Sequence, residues 1–300
     1  MRPRHWASCA AAWAILGSSP AAEAQQTILL RYAPQLGQYA QTIWWFDVTS
    51  TIGDARQAAP EWTVETAGLR SLTHRVTDAE GDRRALEVTS DSVRVRTRPM
   101  DGVWTAVTDT GGRRPRARLI LDERLRVLEV QILASGPDEP AASEGFRAFA
   151  TGLEFALPDQ PVSVGQQWAA DIVLRLDEPT GLEEEPGVST WLQRTGDLVA
   201  RSTFTLDSLM DRGADTLAFL QVRGTFLPTT IASAAEAAEG RARISGAFAA
   251  RMIWSTGWNA FVSGAMRSQV VMATFVGAPQ QEVPELTLTL IISSRFQVRR

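Results

Sequence analysis

Few residues in this chain of 300 can activate a nucleophile or hold a metal. It has two histidines, His5 and His74, and one cysteine, Cys9, and all 30 of its basic residues are Arg. A Ser-His-Asp relay needs an imidazole beside an exposed serine. His74 is the only candidate past the N-terminal segment, no Gly-x-Ser-x-Gly turn occurs, and its parity with Leu72 and Val76 places it on the apolar face of an alternating strand. Lysine bases are impossible, and zinc sites usually want several His or Cys ligands. Asp109-Thr110-Gly111 matches the aspartic-protease signature, but that reaction needs two carboxylates sharing a proton. No second such tripeptide is present, so a homodimer would have to supply it, and Asp-Thr-Gly-Gly is also good turn chemistry. The acidic loop from Asp177 to Pro186 offers oxygen ligands, yet it lacks the alternating carboxylates and central glycine of a calcium loop. It reads as a solvated loop. No catalytic residue, metal or cofactor is expected, and the chain is read as non-enzymatic.

Two other groupings are binding candidates. Arg94, Arg96 and Arg98 recur at every second position and make one basic, wet strand face, which Arg113, Arg114, Arg116 and Arg118 extend. Planar guanidinium suits phosphate or an acidic saccharide; a solvated sheet face explains the same pattern. The second grouping is apolar: Phe248, Met252, Trp254, Met266, Met272 and Leu288 share one parity with small residues such as Ala250 and Gly264. Flexible thioethers beside small side chains fit an adaptable pocket for an acyl chain or another apolar ligand, and they fit a filled core equally.

The elements that must position these groups are strands. From Arg241 to Val298 the apolar residues fall on alternate positions in three long runs, broken at Gly257 and at Gly277 to Pro279, which is an antiparallel meander. Further strands are expected over 28–32, 38–52, 61–77, 84–98, 103–107, 116–121, 125–133, 168–176, 197–210 and 215–226. Ala141 to Leu153 favours a helix, with Phe146, Phe149, Ala150 and Leu153 at helical spacing, and 231–239 suits one or two helical turns. Trp44-Trp45-Phe46 cannot all point inward, so at least one of these rings faces out. The fold class is mainly β: a strongly curved antiparallel sheet, half-barrel or open barrel, with one or two short helices. Residues 25–300 are read as a single β-rich domain. Its turn signals also suit two related halves, 25–135 and 155–300, joined by a helical segment at 140–155.

The N-terminus has the layout of a secretory signal peptide: basic Met1 to Trp6, an apolar run from Ala7 to Leu16, and Ala22-Glu23-Ala24 before an expected cleavage after Ala24. The run is shorter than the roughly 20 residues a membrane-spanning helix needs, so no membrane span is expected in the mature chain. Cleavage at Ala24 removes Cys9 and His5 and leaves a mature chain that cannot form a disulfide. The net charge of −4 does not suggest a nucleic-acid partner.

The pattern Leu30-x-Tyr32 followed by Gly37-Gln38-x, the run Leu157-Pro158-Asp159-Gln160-Pro161-Val162-Ser163-Val164-Gly165-Gln166-Gln167-Trp168 and the closing meander resemble an uncharacterised group of exported bacterial β-rich proteins. That group is distantly similar to the periplasmic lipoprotein-carrier and lipid-binding half-barrels, in which a curved sheet wraps around helices. The resemblance implies a fold and no catalytic residues. The expected function is binding of an apolar or amphiphilic ligand, or of a cell-envelope component, in the concave face of a periplasmic or secreted protein. The alternative is an envelope structural or interaction protein with a filled core.

Overall fold

The computed structural model describes residues 26–54, 62–100, 102–108, 116–134, 157–174, 198–232, 240–276, 284 and 286–300. The expected signal segment, the Asp109 tripeptide, the acidic loop and the 141–153 helix lie outside these residues. Those described form strands and turns, with no helix among them. In chain order they are β1 (Thr27–Ile28), β2 (Tyr39–Asp54), β3 (Trp62–Glu80), β4 (Arg83–Pro99), β5 (Thr105–Thr108), β6 (Arg116–Asp122), β7 (Val127–Ala134), β8 (Val162–Ser163), β9 (Gln167–Leu174), β10 (Leu198–Arg212), β11 (Asp215–Ala232), β12 (Gly240–Ser255), β13 (Ala260–Val276) and β14 (Leu286–Arg299).

All but β1 and β8 belong to one 12-stranded antiparallel sheet, ordered β7-β6-β4-β3-β2-β14-β13-β12-β11-β10-β9, with β5 also on β4. The chain builds one wing outward from β2 and returns from β9 until β14 pairs with β2 along its length, from Leu286 opposite Asp54 to Arg299 opposite Gln41. Strands twist against their neighbours, and sheets beyond about ten strands curl or split. This one curls without closing. Leu119 and Leu121 of β6 face the same interior space as Ala250 and Met252 of β12, although five strands separate β6 from β12 in the sheet.

The alternation fixes which side chains line that interior. Register carries the even residues of β2 across to even residues of β3 and of β9 to β14, for example Trp44 opposite both Phe296 and Arg70. A bulge at Ser71/Leu72 shifts the inner set of β4 to Val93 and Val95 at one end while Val88 and Leu86 keep it at the other. Of the three neighbouring aromatics, Trp44 and Phe46 therefore face in and Trp45 faces out, beneath the Arg295 guanidinium at 4.9 Å.

One end of the curl is shut by a strap. β1 pairs with β8, and Ile28, Leu30, Tyr32, Leu157 and Val162 are buried between the wings. The strap is tied to one wing by the amide of Tyr32 donating to the Glu123 carbonyl, at 2.7 Å, and to the other by Gly165 N–H donating to the Leu206 carbonyl, at 2.7 Å. Arg31 donates to the carbonyls of Pro158 and Asp159, each at 2.5 Å. These contacts replace a longer β1 ladder, which is why the strand expected over 28–32 is limited to two residues and continues as extended chain. Ile231 and Ala232, expected in a helical turn, continue β11 and pair with Ala242 and Arg241.

Candidate functional site

The interior just inside the strap holds a cavity of about 160 Å³. Its floor is Tyr32, Leu121 and Leu125; one wall is Ala40, Thr42, Trp44, His74, Val76 and Val88, and the other is Met252, Ala260, Phe261, Met266 and Phe296. A cavity of similar size in other proteins stays dry and accepts benzene. Beyond its rim the inner face continues as a trough of half-buried side chains, including Phe46, Val48, Val64, Val95, Val270, Leu290 and Ile292.

Glycines let aromatic rings lie flat against this face. A Cβ at Gly68 would fall inside the Phe46 ring, one at Gly224 inside the Phe248 ring, and one at Gly264 against Phe296. In each case the ring's own position lies opposite the glycine on the neighbouring strand. A strand glycine marks such close approaches, and an aromatic partner covers the backbone it leaves bare.

Of the apolar set identified in the sequence, all lie on the inner face but at different depths. Met252 and Met266 line the cavity. Trp254 is fully buried behind it, edge-on to Phe261 at 5.0 Å between ring centres. Phe248 packs on Phe226 at 5.7 Å, farther up the trough. Met272, opposite both Ile244 and Leu288, lies farther still. In β13 a register shift at Ile253/Trp254 brings Phe261, rather than Val262, opposite Trp254, so the alternation read from the sequence changes phase there.

His74 sits on the inner face between Ala40 and Val88. Burial among apolar groups pushes its imidazole down to about 4, so it is neutral at pH 7. Burial likewise raises the Tyr32 hydroxyl well above its ordinary value, partly offset by the Arg84 charge. Among the described residues, neither has an acid or nucleophile arranged with it in the manner of a relay. Among the described residues no group of His, Cys, Asp or Glu is placed to hold a metal.

Arg70 was not singled out in the sequence. Register places it on the inner face opposite Trp44 and Val93; Arg84, opposite Leu121 at the strapped end, is a second cation with the inner parity of Leu86 and Val88. Desolvation by burial lowers the Arg70 pKa. The signal was available, because Arg70 has the parity of Leu72, His74 and Val76.

The turn that closes the cavity beside Phe261 is pinned by Asp215. Its carboxylate accepts from the Gly257 amide at 2.7 Å, the Ser255 hydroxyl at 2.7 Å and the Thr256 hydroxyl at 3.2 Å. Burial works to raise this carboxyl, but those hydrogen bonds outweigh it and hold the pKa below the ordinary value. The Asn259 side chain of the same turn donates to the Ala33 carbonyl of the strap at 3.5 Å.

The outer face carries most of the charged side chains, among apolar ones such as Trp45, Leu69 and Ile253. Arg94 and Arg96 are exposed, Arg98 pairs with Glu65 at 2.6 Å, and Arg96 and Arg98 both lie over the Trp104 ring. Arg116 pairs with Glu87 and Arg118 with Asp78 at 3.7 Å. Arg223, Arg251, Arg267 and Arg295 carry the same side across the other wing. The basic strand face expected from Arg94, Arg96 and Arg98 is thus part of a wider arginine-bearing surface.

No protein-family model matches the chain, and no curated protein matches it in sequence. Among solved structures it is similar to lipovitellin, described for its lipid–protein interactions, with 11% identity and a TM-score of 0.45 over 88% of this chain. The chain spans 25% of the length of that lipovitellin chain. A second likeness, to DynF from the dynemicin biosynthesis pathway of Micromonospora chersina, has 9% identity and a TM-score of 0.21 over 92% of this chain and 85% of that one.

Proposed function

We propose that this chain is an exported, non-enzymatic protein that holds an apolar or amphiphilic ligand on the inner face of its curved sheet. The observation that carries this reading is the cavity of about 160 Å³, walled by Trp44, Phe261, Phe296, Met252 and Met266 and continuous with an apolar trough. Apolar surface held half-exposed along one face is unfavourable in water unless something covers it. Mobile methionines and glycine-seated rings suit a chain of variable shape rather than a rigid substrate. Export rests on the basic, apolar and small-residue layout of the first 24 residues, and a periplasmic or extracellular destination follows from it.

The side distribution argues against a transmembrane barrel. Such barrels carry an apolar band outward and polar groups inward, whereas this sheet sets Arg94, Arg96, Arg223, Arg251, Arg267 and Arg295 among its outward residues and keeps an apolar cavity and trough inside. An envelope structural protein with a filled core is the second reading, favoured by the tight packing of Leu30, Phe204 and Trp254 at the strapped end.

Native mass spectrometry and solvent extraction of the protein purified from its own membrane-bearing cells separate the two. A co-purifying lipid or fatty acid, lost from a variant with Met266→Trp and Ala250→Leu, is the expected result. A ligand-free protein that also fails to take up a neutral fluorescent naphthylamine dye would overturn the first reading in favour of the second.

A further inference from the structure

Where the cavity meets the strap its lining is not purely apolar. We infer that the ligand is a neutral amphiphile that enters head-first, its hydroxyl or carbonyl oxygen hydrogen-bonded by His74 and Tyr32 and its tail along the trough. The inference rests on the proposed binding function and specifies the ligand's class and direction. His74 and Tyr32 both line the cavity. Tyr32 belongs to the strap. His74 lies on the strap side of Trp44, because Trp44, Thr42 and Ala40 stand opposite Arg70, Leu72 and His74 in turn. The trough leaves from the other side of Trp44, past Phe46 and Val48.

Buried polar groups are normally paired, and a donor or acceptor left without a partner is costly. The Tyr32 side chain is 7% exposed, and among the described residues neither its hydroxyl nor the His74 imidazole makes a hydrogen bond. The Nε of Arg84 is sealed off, whereas the polar atoms of these two residues keep accessible surface on the cavity they line. Together they offer a phenolic O–H donor and, on the neutral imidazole, one N–H donor and one acceptor nitrogen. A ligand hydroxyl can accept from one and donate to the other, and a carbonyl can accept from both. Thr42, which lines the cavity beside them, adds a second hydroxyl.

Two titratable groups of opposite sign report on charge at this place. Burial holds the His74 imidazole neutral, with its pKa down at about 4, and holds the Tyr32 phenol protonated although the Arg84 charge favours the anion. Surroundings that disfavour a cation and an anion alike favour a neutral head. Arg84 is not part of the cavity lining and donates to the Gly81 and Arg83 carbonyls at 2.8 and 2.7 Å. A volume of about 160 Å³ takes a head the size of benzene, and Trp44, Trp258, Phe261 and Phe296 give it aromatic walls.

The test measures binding of para-heptylphenol, para-heptylacetophenone, heptylbenzene and para-heptylbenzoate to the full chain near neutral pH, by displacement of a neutral naphthylamine dye. Tyr32→Phe and His74→Leu are each expected to bind at least one of the two neutral oxygen probes about fivefold more weakly than wild type, the worth of one hydrogen bond. Heptylbenzene should bind as before, which also shows the cavity intact; if His74→Leu weakens it too, Tyr32→Phe, which keeps the ring, decides. Which oxygen probe loses affinity distinguishes a hydroxyl from a carbonyl head. Wild type should bind para-heptylbenzoate more weakly than either. Unchanged affinity for both oxygen probes in either variant, or a wild type that prefers the benzoate, would overturn the inference and leave the cavity function standing. Failure of heptylbenzene and dye to bind wild type at all would instead overturn the cavity function and this inference with it.

Discussion

The two ends of the same long strands make the instructive comparison. Near the strap the inner face buries Leu72, Trp254 and Met252 almost completely. Toward the open end Val48, Val64 and Ile292 of β2, β3 and β14 stay half-buried, although Ile244 and Met272 of β12 and β13 are buried there. Residue type and alternation barely change from one end to the other. At one end Leu30 and Tyr32 of the strap fill the space between the wings; at the other, Phe226, Phe248, Ile244 and Met272 cover only their own wing, and the β2, β3 and β14 side is left half-buried. Hydrophobicity along a strand thus says that a face must be covered, but what covers it is set by chain that lies far away in sequence.

The largest test of this contrast is a pair of truncations. Trp254→Ala or Leu30→Ala at the strapped end should cost about 3–5 kcal/mol, the usual range for emptying a packed site. Ile292→Ala in the trough should cost about 1 kcal/mol or less, because its side chain is already half in water and leaves no closed void. Urea midpoints at constant m would measure both; equal losses would mean that the trough is packed like the strapped end.

Next in size is the pH response of His74, which belongs to the strapped end. Its folded value near 4 lies below the ordinary 6.5, so the unfolded chain binds the proton more readily between those values. Stability should be full above pH 6.5 and fall by on the order of 2–3 kcal/mol as pH drops to 4. His74→Leu should remove that slope. A slope of the same size in the variant would locate it in other groups.

The glycine seats offer a third measurement. Gly68→Val puts a side chain where the Phe46 ring lies and should destabilise by about 1–3 kcal/mol through overpacking. Phe46→Ala together with Gly68→Val should recover part of that loss, and an additive double variant would sever the proposed link between ring and glycine.

The smallest effect is at the Asp215 turn, where Asp215→Asn should cost about 1 kcal/mol of the charge-assisted hydrogen bonding near pH 7. Because the folded pKa is depressed, the carboxylate's contribution is complete above its unfolded value of about 4 and disappears as pH falls through the folded one. The stability difference between wild type and Asp215→Asn should therefore close in acid. Thermal melts at pH 7 and pH 3 check this, and a gap that stays constant would show that the carboxylate's charge is not what holds the turn.

Much of the wing architecture was legible from spacing. The meander from Arg241 to Val298 and the strand pairs around Gly81 and Gly213 follow from alternation and from turn residues, both of which hold positive φ. The phase change at Phe261 was not legible, because a bulge leaves the sequence alternating while one strand gains a residue against its partner. The extension of β11 through Ile231 and Ala232 overrode a local Ala-rich preference, since pairing with Ala242 and Arg241 satisfies backbone groups that a short isolated helix would leave to water. The inner parity of Arg70 was legible, being that of Leu72 and His74, but only the register shows that it stands opposite Trp44 and Val93.

What the residues alone determined is local: period-two strands, their turns, the absence of a thiol or lysine nucleophile beyond residue 24, and the separation of an apolar face from an arginine-bearing one. Each of these depends on neighbours within a few positions. Tertiary structure decided that β14 joins β2, that the strap shuts one end, and that the open interior passes Trp44 and Arg70. Those outcomes depend on closing contacts across more than a hundred residues, where the energy lies in how two distant apolar faces fit and not in the pattern of either one.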